Sequence, residues 1–306
     1  MYLSIIKSLT TAVLVTLLFG NTLGQGCSDA GFCTIESFQP HEDNDESKEY
    51  KNHIKLGVSY GDADHSIYII GNYLEFGRQT GEKLGIDFKL TSISQNGNGI
   101  STLGLSDLYL NANYAVTNTL TLTLGSKVPV SKSNAVKDNL PLPMDYQSTL
   151  GTLDLIVGIG YTINKLQLVL ALQQPLTQNK NEFISDDYPA NSELSNFQST
   201  NKFKRNGDVL LRISHPVTIA KMLTITPSIL PVYHLGVDKY TDASGTEQEI
   251  KGSDGLTLNG NAYFDFALND KNSIQLNFGL PFIVRDVRPD GLTRSFIATL
   301  EYRYSF

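Results

Sequence analysis

The 306-residue sequence has no tryptophan, three methionines, two cysteines and five histidines. Any aromatic girdle must therefore come from its 15 tyrosines and 14 phenylalanines. The histidines are His41, His53, His65, His215 and His234, which leaves imidazole chemistry few places. The adjacent pairs His65–Ser66 and Ser214–His215 put their partners on opposite faces of a strand, so neither forms a one-strand Ser–His dyad. There is no zinc-ligand spacing and no phosphate-cradling glycine loop. Asp186, Asp187 and Glu193 are the acidic groups of a polar segment. No cofactor, no metal and no enzyme activity is expected. Past residue 24 no apolar run approaches the roughly 20 residues of a membrane-spanning helix. If the mature chain enters a membrane, it does so as a closed sheet. Lys and Arg total 24 against 31 Asp and Glu, net −7, so the basic surplus that nucleic acid requires is missing.

What is present is concentrated first at the two ends. Lys7 precedes the apolar stretch Thr11–Phe19, and small and polar residues follow from Gly20 to Gly24. This is the order of a secretory signal. Cleavage is expected after Gly24, with Thr22 at −3 and Gln25 as the new N-terminus, making residues 1–24 the leader. Removing Lys7 takes the formal charge from −7 to −8. A retained anchor and a lipoprotein at Cys27 are the alternatives. The stretch is short for an anchor, and Gln25 fits a lipidation site poorly. At the other end, Phe296, Ala298, Leu300, Tyr302, Tyr304 and Phe306 alternate with Ser295, Ile297, Thr299, Glu301, Arg303 and Ser305. That is the period of a strand with one apolar face. The ending resembles the C-terminal strand of bacterial outer-membrane proteins, which closes on Phe with an aromatic two residues before it. The resemblance implies that Tyr302, Tyr304 and Phe306 form the assembly signal read by the outer-membrane insertion machinery.

Residues 25–52 differ from the rest. They hold Cys27 and Cys33 and the acidic run His41–Tyr50. They are read as an N-terminal periplasmic extension, with the acidic run a solvated linker. A disulfide between Cys27 and Cys33 is expected in an oxidising periplasm.

Residues 53–306 read as a succession of alternating strands. Leu166, Leu168, Leu170 and Leu172 are the clearest instance, and Ile67–Phe76 the least clear, being partly apolar on both faces. The count is about twelve, an even number as bacterial barrels require. Tight connections fall near Thr117–Asn118, Asn164–Lys165, Ala220–Lys221 and Asn269–Asn272. Long ones fall at Ser131–Ser148, Thr177–Asn206 and Asp238–Asp254. With the C-terminus in the periplasm, this spacing predicts every tight turn on the periplasmic side and every long loop outside. The expected fold is all-β: a transmembrane up-and-down antiparallel β-barrel with both termini periplasmic.

About twelve strands enclose too much space for a simple side-chain core, so the apolar face should meet outer-membrane lipid and the polar face the lumen. That register sends Lys55, Asp87, Lys89, Asp107, Lys127, Asp154, Arg212, Asp265, Glu301 and Arg303 inward, five acids and five bases. Opposite charges in such a space should pair. The expected lumen is narrow and braced, closed by the N-terminal extension or the Thr177–Asn206 loop.

Gly104–Val116, GLSDLYLNANYAV, resembles the Gly-Leu-Gly-Asp-Leu-x-Leu strand of transporter barrels associated with meta-pathway phenol degradation, with Ser106 at the usual second Gly. The resemblance implies a barrel of similar size that passes small, often aromatic, molecules. The expected function is an outer-membrane channel or transporter for small solutes, hydrophobic or aromatic ones included, in a Gram-negative bacterium. The reading kept beside it is a surface-exposed structural or binding barrel with a blocked lumen.

Overall fold

Period-two alternation sorts this chain into two faces, and backbone pairing closes them into a cylinder. The computed structural model describes residues 32–40, 50–291 and 295–306. Twelve strands make the wall. The first five are Asn52–Asp62, Tyr68–Gln79, Leu84–Gly97, Ile100–Ala115 and Leu120–Pro129. The sixth and seventh are Asp154–Ile163 and Leu166–Pro175. The eighth is Asp208–Ser214, continued beyond Pro216 by Val217–Ala220. The last four are Leu223–His234, Gly255–Asn269, Asn272–Ile283 and Phe296–Ser305. Each strand pairs antiparallel with its chain neighbours, and the first pairs with the twelfth from His53↔Ser305 to Asp62↔Phe296, which removes every sheet edge. The backbone groups of Phe306 and Asn52 exchange hydrogen bonds of 3.0 and 2.9 Å, so the terminal residue is tied into the closure.

The exterior is apolar. Leu56, Leu124, Leu170, Ile229 and Leu300 are exposed, as are Tyr302, Tyr304 and Phe306. The residues between them point inward and are polar or charged over much of the wall. This inside-out distribution is that of a transmembrane barrel. Among the described residues no helix is long and apolar enough to cross a membrane.

Five tight turns lie at one end: 80–83, 116–119, 164–165, 221–222 and 270–271. The opposite end carries the connections 63–67, 98–99, 130–153, 176–207, 235–254 and 284–295. The expected parity needs correction there, because 63–67 and 98–99 are short. Asn98–Gly99 is a two-residue turn at the long-loop end, with φ of 52° and 69°. The third and fourth strands are 14 and 16 residues long and close on themselves through this Asn-Gly turn, a sequence suited to positive φ at both positions.

The long connections fold over their end. Loop 130–153 carries the short turn Met144–Tyr146, and loop 235–254 carries a hairpin of Lys239–Thr241 with Glu247–Glu249. Leu142, Met144, Tyr146, Phe183, Phe197 and Phe203 are buried with Ile67, Ile69, Ile93 and Ile100 of the strand tops. Asn181 stitches the loops together, donating to the carbonyls of Ser133 (3.1 Å) and Leu142 (3.0 Å).

Candidate functional site

The lumen has two unlike walls. On one, register neighbours form a single row: Arg303↔Lys55, Lys55↔Glu75, Glu75↔Lys89, Lys89↔Tyr109, Tyr109↔Lys127 and Lys127↔Asp154. Cross-strand neighbours on one face lie within side-chain reach, which lets the charges satisfy one another. Lys127 Nζ is 2.8 Å from Asp154, both fully buried. Lys55 Nζ lies 3.2 Å from Glu301 and 3.6 Å from Glu75. Lys89 lies 3.7 Å from Glu75 and 3.9 Å from the centre of the Tyr73 ring, while the Tyr73 hydroxyl donates to Glu301. Tyr73 lies across Gly57, where a Cβ would overlap its ring.

The other wall carries an apolar band among buried polar positions that include Gln167, Gln173, Ser214, Thr226 and Ser228. Ile156, Val169, Ala171, Leu210, Leu230 and Val232, from the sixth to ninth strands, face inward and are buried. They belong to one apolar cluster that also includes Phe183 and Phe203 of the loop cap.

Residues 32–40 lie between these walls. Ile35 and Phe38 are buried in the apolar cluster, and Phe38 sits over Gly158 of the sixth strand, where a Cβ would overlap its ring. The polar side of the segment meets the charged wall. Glu36 pairs with Lys55 and, at 3.1 Å, with Arg303. Lys89 donates to the Thr34 carbonyl at 2.8 Å, and Thr123 to the Ser37 hydroxyl at 2.9 Å. Arg212, almost wholly buried, donates to the carbonyls of Phe38 and, at 3.0 Å, Cys33. The segment thus matches each wall with its own chemistry. Over its described part, the N-terminal extension enters the barrel, one of the two expected ways of closing the lumen. Buried cations on the wall need acceptors, and backbone carbonyls and Glu36 supply them.

At the tight-turn mouth the segment divides the open space. A cavity of about 420 Å³ is lined by Glu36, Ser37, Gln39, Asp87, Asn113 and the turns near Lys83 and Asn118. A second of about 510 Å³ is lined by Glu36, Gln39, Pro40, Asp265 and residues 269–273. Glu36, Gln39 and Arg303 border both. Glu36, His53 and Glu75 bring potential ligand atoms within 4.8 Å of one another. Lys55 is paired with both of these glutamates and supplies a cation there.

Under the loop cap a second ionic group is sealed from solvent. Arg205 lies 2.6 Å from Asp208 and 3.7 Å from Asp290, and Arg285 lies 2.8 Å from Asp290. His234 is held between Asp208 (2.7 Å) and Asp238 (2.8 Å). Burial raises the Asp290 carboxyl, but Arg285 and Arg205 outweigh it and hold it below the usual carboxylate range. These groups tie strand tops to loops 176–207, 235–254 and 284–295.

The ten charged residues expected in the lumen all lie on inward positions. Eight are buried, while Asp265 and Arg303 are half-buried. Their partners differ from simple acid–base pairing. Arg212 meets carbonyls and the Tyr263 ring at 5.8 Å. Asp87 accepts from Asn113, Asp107 from Thr149 (2.6 Å) and Ser106 (2.9 Å), and Asp265 from Gln275 (2.6 Å). Sequence reasoning missed Glu75, Glu36 and the group around His234. Cys33 is buried, whereas residues 1–24, expected to be the leader, Cys27 and residues 41–49 of the acidic run lie outside the described residues. Tyr304 and Phe306 stack on the outer face with ring centres 5.6 Å apart.

No family model matches the chain, and no curated protein matches it in sequence. Solved barrels resemble it in shape. The CymD monoaromatic hydrocarbon channel aligns over 94% of this chain and 98% of its own, at 9% identity and a TM-score of 0.48. A NanC porin aligns over 83% and 98%, at 8% identity and a TM-score of 0.47. LpxR from Salmonella typhimurium aligns over 83% and 100%, at 7% identity and a TM-score of 0.46. At such identities the likeness concerns barrel shape and carries nothing about solute or mechanism.

Proposed function

We propose that this chain is an outer-membrane channel of a Gram-negative bacterium that passes small apolar or aromatic solutes and is held closed at rest by residues 32–40. The observation that carries this reading is the apolar band on the inner face of the sixth to ninth strands, in one cluster with the loop cap and covered at its lower part by Phe38. A lumen that only braced the barrel could be charged or packed throughout. An apolar strip beside a charged row offers small hydrophobic molecules a path that ions do not favour. In this reading the leader ends at Gly24, the tight turns and both termini are periplasmic, and residues 32–40 are reached from the periplasmic side. Lipid surrounds the wall, and the insertion machinery reads Tyr302, Tyr304 and Phe306.

The test pairs two measurements on the mature protein and on a variant lacking residues 25–50. The full chain should give small, weakly selective conductance in planar bilayers, and the deletion a several-fold larger one. Cells producing the full chain should take up the apolar dye phenylnaphthylamine faster than cells without it. A second reading, a surface-binding barrel with a blocked lumen, is favoured by the loop cap over one end and the segment inserted in the lumen. Absence of conductance and of dye uptake in both proteins would establish that reading over the first.

A further inference from the structure

Three metal-ligating side chains converge where the inserted segment meets the charged wall. Glu36 comes from the segment, His53 from the first strand and Glu75 from the second, and their ligand atoms all lie within 4.8 Å of one another. His53 is register-opposed to Gly77, and Gly77 to Asp87. A Cβ at Gly77 would lie 2.4 Å from His53 Nε2 and 2.8 Å from Asp87 Oδ1. The imidazole thus fills the space that this glycine leaves, beside a further carboxylate.

Two of these ligand atoms lack an ordinary partner. The Glu75 side chain is 2% exposed, yet its Oε1 makes no hydrogen bond, and His53 Nε2, also buried, makes none either. Glu75 Oε1 faces His53 Nε2 and Lys55 Nζ, each at 3.6 Å, while Lys89 approaches only the other oxygen, at 3.7 Å. Polar atoms this deep are normally satisfied at hydrogen-bond distance. Two ligand atoms on one tetrahedral ion, each about 2.1 Å from it, stand roughly 3.4 Å apart. The separation of Nε2 from Oε1 is long for a hydrogen bond and close to that spacing.

We propose that Glu36, His53 and Glu75 bind a divalent transition-metal ion of the zinc type, which staples the inserted segment to the barrel wall. An imidazole with two carboxylates suits such an ion, whereas magnesium prefers oxygen ligands alone. The 420 Å³ cavity borders Glu36, His53 and Asp87, which gives the ion entry from the tight-turn mouth and room for a water ligand. The charges already present accommodate it. Glu36, Glu75, Glu301 and Asp87 stand against Lys55, Lys89 and Arg303, four acids to three bases. Lys55 keeps Glu301, its partner at 3.2 Å, when the ion takes Glu36 and Glu75. Arg303 Nη2 stands 3.4 Å from His53 Nδ1, and its side chain is 34% exposed, so it turns to water when Nδ1 carries the proton. The site rests on these side chains and not on the proposed channel function.

Two measurements test it. Zinc titrated calorimetrically into the untagged, oxidised mature chain should fill a single site, and magnesium should not compete for it. His53→Gln, which removes the imidazole where Nε2 has no hydrogen bond to lose, and Glu36→Gln, on the segment, should each weaken binding about tenfold or more. Both variants should keep the heat-modified gel band of the folded barrel. Zinc affinity unchanged by His53→Gln overturns the site, and affinity unchanged by Glu36→Gln overturns the staple. The second measurement reads the segment itself. Zinc should slow amide exchange across residues 32–40 about tenfold in the unaltered chain and leave it unmoved in Glu36→Gln. Exchange that zinc does not slow in the unaltered chain overturns the staple even where the ion binds. Neither measurement reads transport, so both outcomes hold whether or not the barrel conducts.

Discussion

Phe38 of the inserted segment occupies the space that Gly158 leaves on the barrel wall, and a side chain at position 158 would overlap its ring. The contact joins the segment most distant in composition from the barrel to one of its strands. Gly158→Leu should expel Phe38 without disturbing strand pairing, since Gly158 faces inward on a continuous ladder. The expected outcome is a several-fold rise in conductance with a normal heat-modified band on gels. Phe38→Ala should act in the same direction, removing burial worth roughly 3–5 kcal/mol. Unchanged conductance in both variants would mean that the segment does not limit the pore.

Lys127 and Asp154 are register-opposed, fully buried and 2.8 Å apart. Lys127→Met leaves the carboxylate buried without its cation, a loss on the order of 3–5 kcal/mol. The double replacement K127M/D154L removes both charges and should recover most of that stability. Thermal unfolding followed by the gel shift of heat-modified barrels reads both. A double variant no more stable than the single one would contradict the pairing argument.

Most of the barrel was legible because its exterior meets a uniform solvent. Every lipid-facing position obeys one rule, so Leu166 to Leu172 or Leu120 to Leu124 declare their strands unaided. The interior obeys several rules at once. Ile67 and Ile69 face inward under the apolar loop cap, while Glu75 on the same strand faces the charged row. The inward set of that strand therefore changes character along its length, which hid its register and Glu75 with it. The role of Glu36 depends on a segment entering the lumen from outside the alternating pattern, and no local periodicity reports that. Asn98–Gly99 was readable as a turn, but its end of the barrel was not, because strand extension past the rim is set by pairing.

Cys33 is buried in the inserted segment, six positions from the only other cysteine, Cys27. A disulfide between them would stiffen the end that enters the lumen. Thiol labelling of the folded mature protein should find no reactive cysteine, and labelling after reduction and unfolding should find both. Two thiols in the unreduced, unfolded protein would exclude the bond.

Phe306 lies on the outer face, stacked on Tyr304, and its backbone closes the barrel against Asn52. Its side chain adds only about 1.5–3 kcal/mol of burial, small beside a closed sheet. Deleting Phe306 should therefore reduce the amount inserted in cells far more than it reduces the unfolding temperature of protein refolded in detergent. Equal losses in both would assign the residue a purely structural role.

Asp145 makes the loop cap sensitive to pH in a definite direction. It is half-buried in the short turn Met144–Tyr146. Burial pushes its carboxyl up to about 7, with the charges of Asp64 and Asp290 adding to the rise and Arg288 opposing it. In the opened loop the group returns to the ordinary carboxylate range near 4. Between about 4 and 7 the closed cap thus holds a proton that the opened loop releases. Stability falls wherever the folded state binds more protons and pH rises. The cap should therefore be firmest near pH 4–5 and loosen as pH climbs to about 7, with little further change above. Asp290, held low by its arginines, adds nothing to this window, because its contribution is lost only on stronger acidification. Openings recorded in planar bilayers should be more frequent at pH 8 than at pH 5, and Asp145→Asn should narrow the difference by keeping the closed-state hydrogen-bonding shape without the charge. More frequent openings at pH 5 in the unaltered protein would reverse the sign and place the controlling group elsewhere.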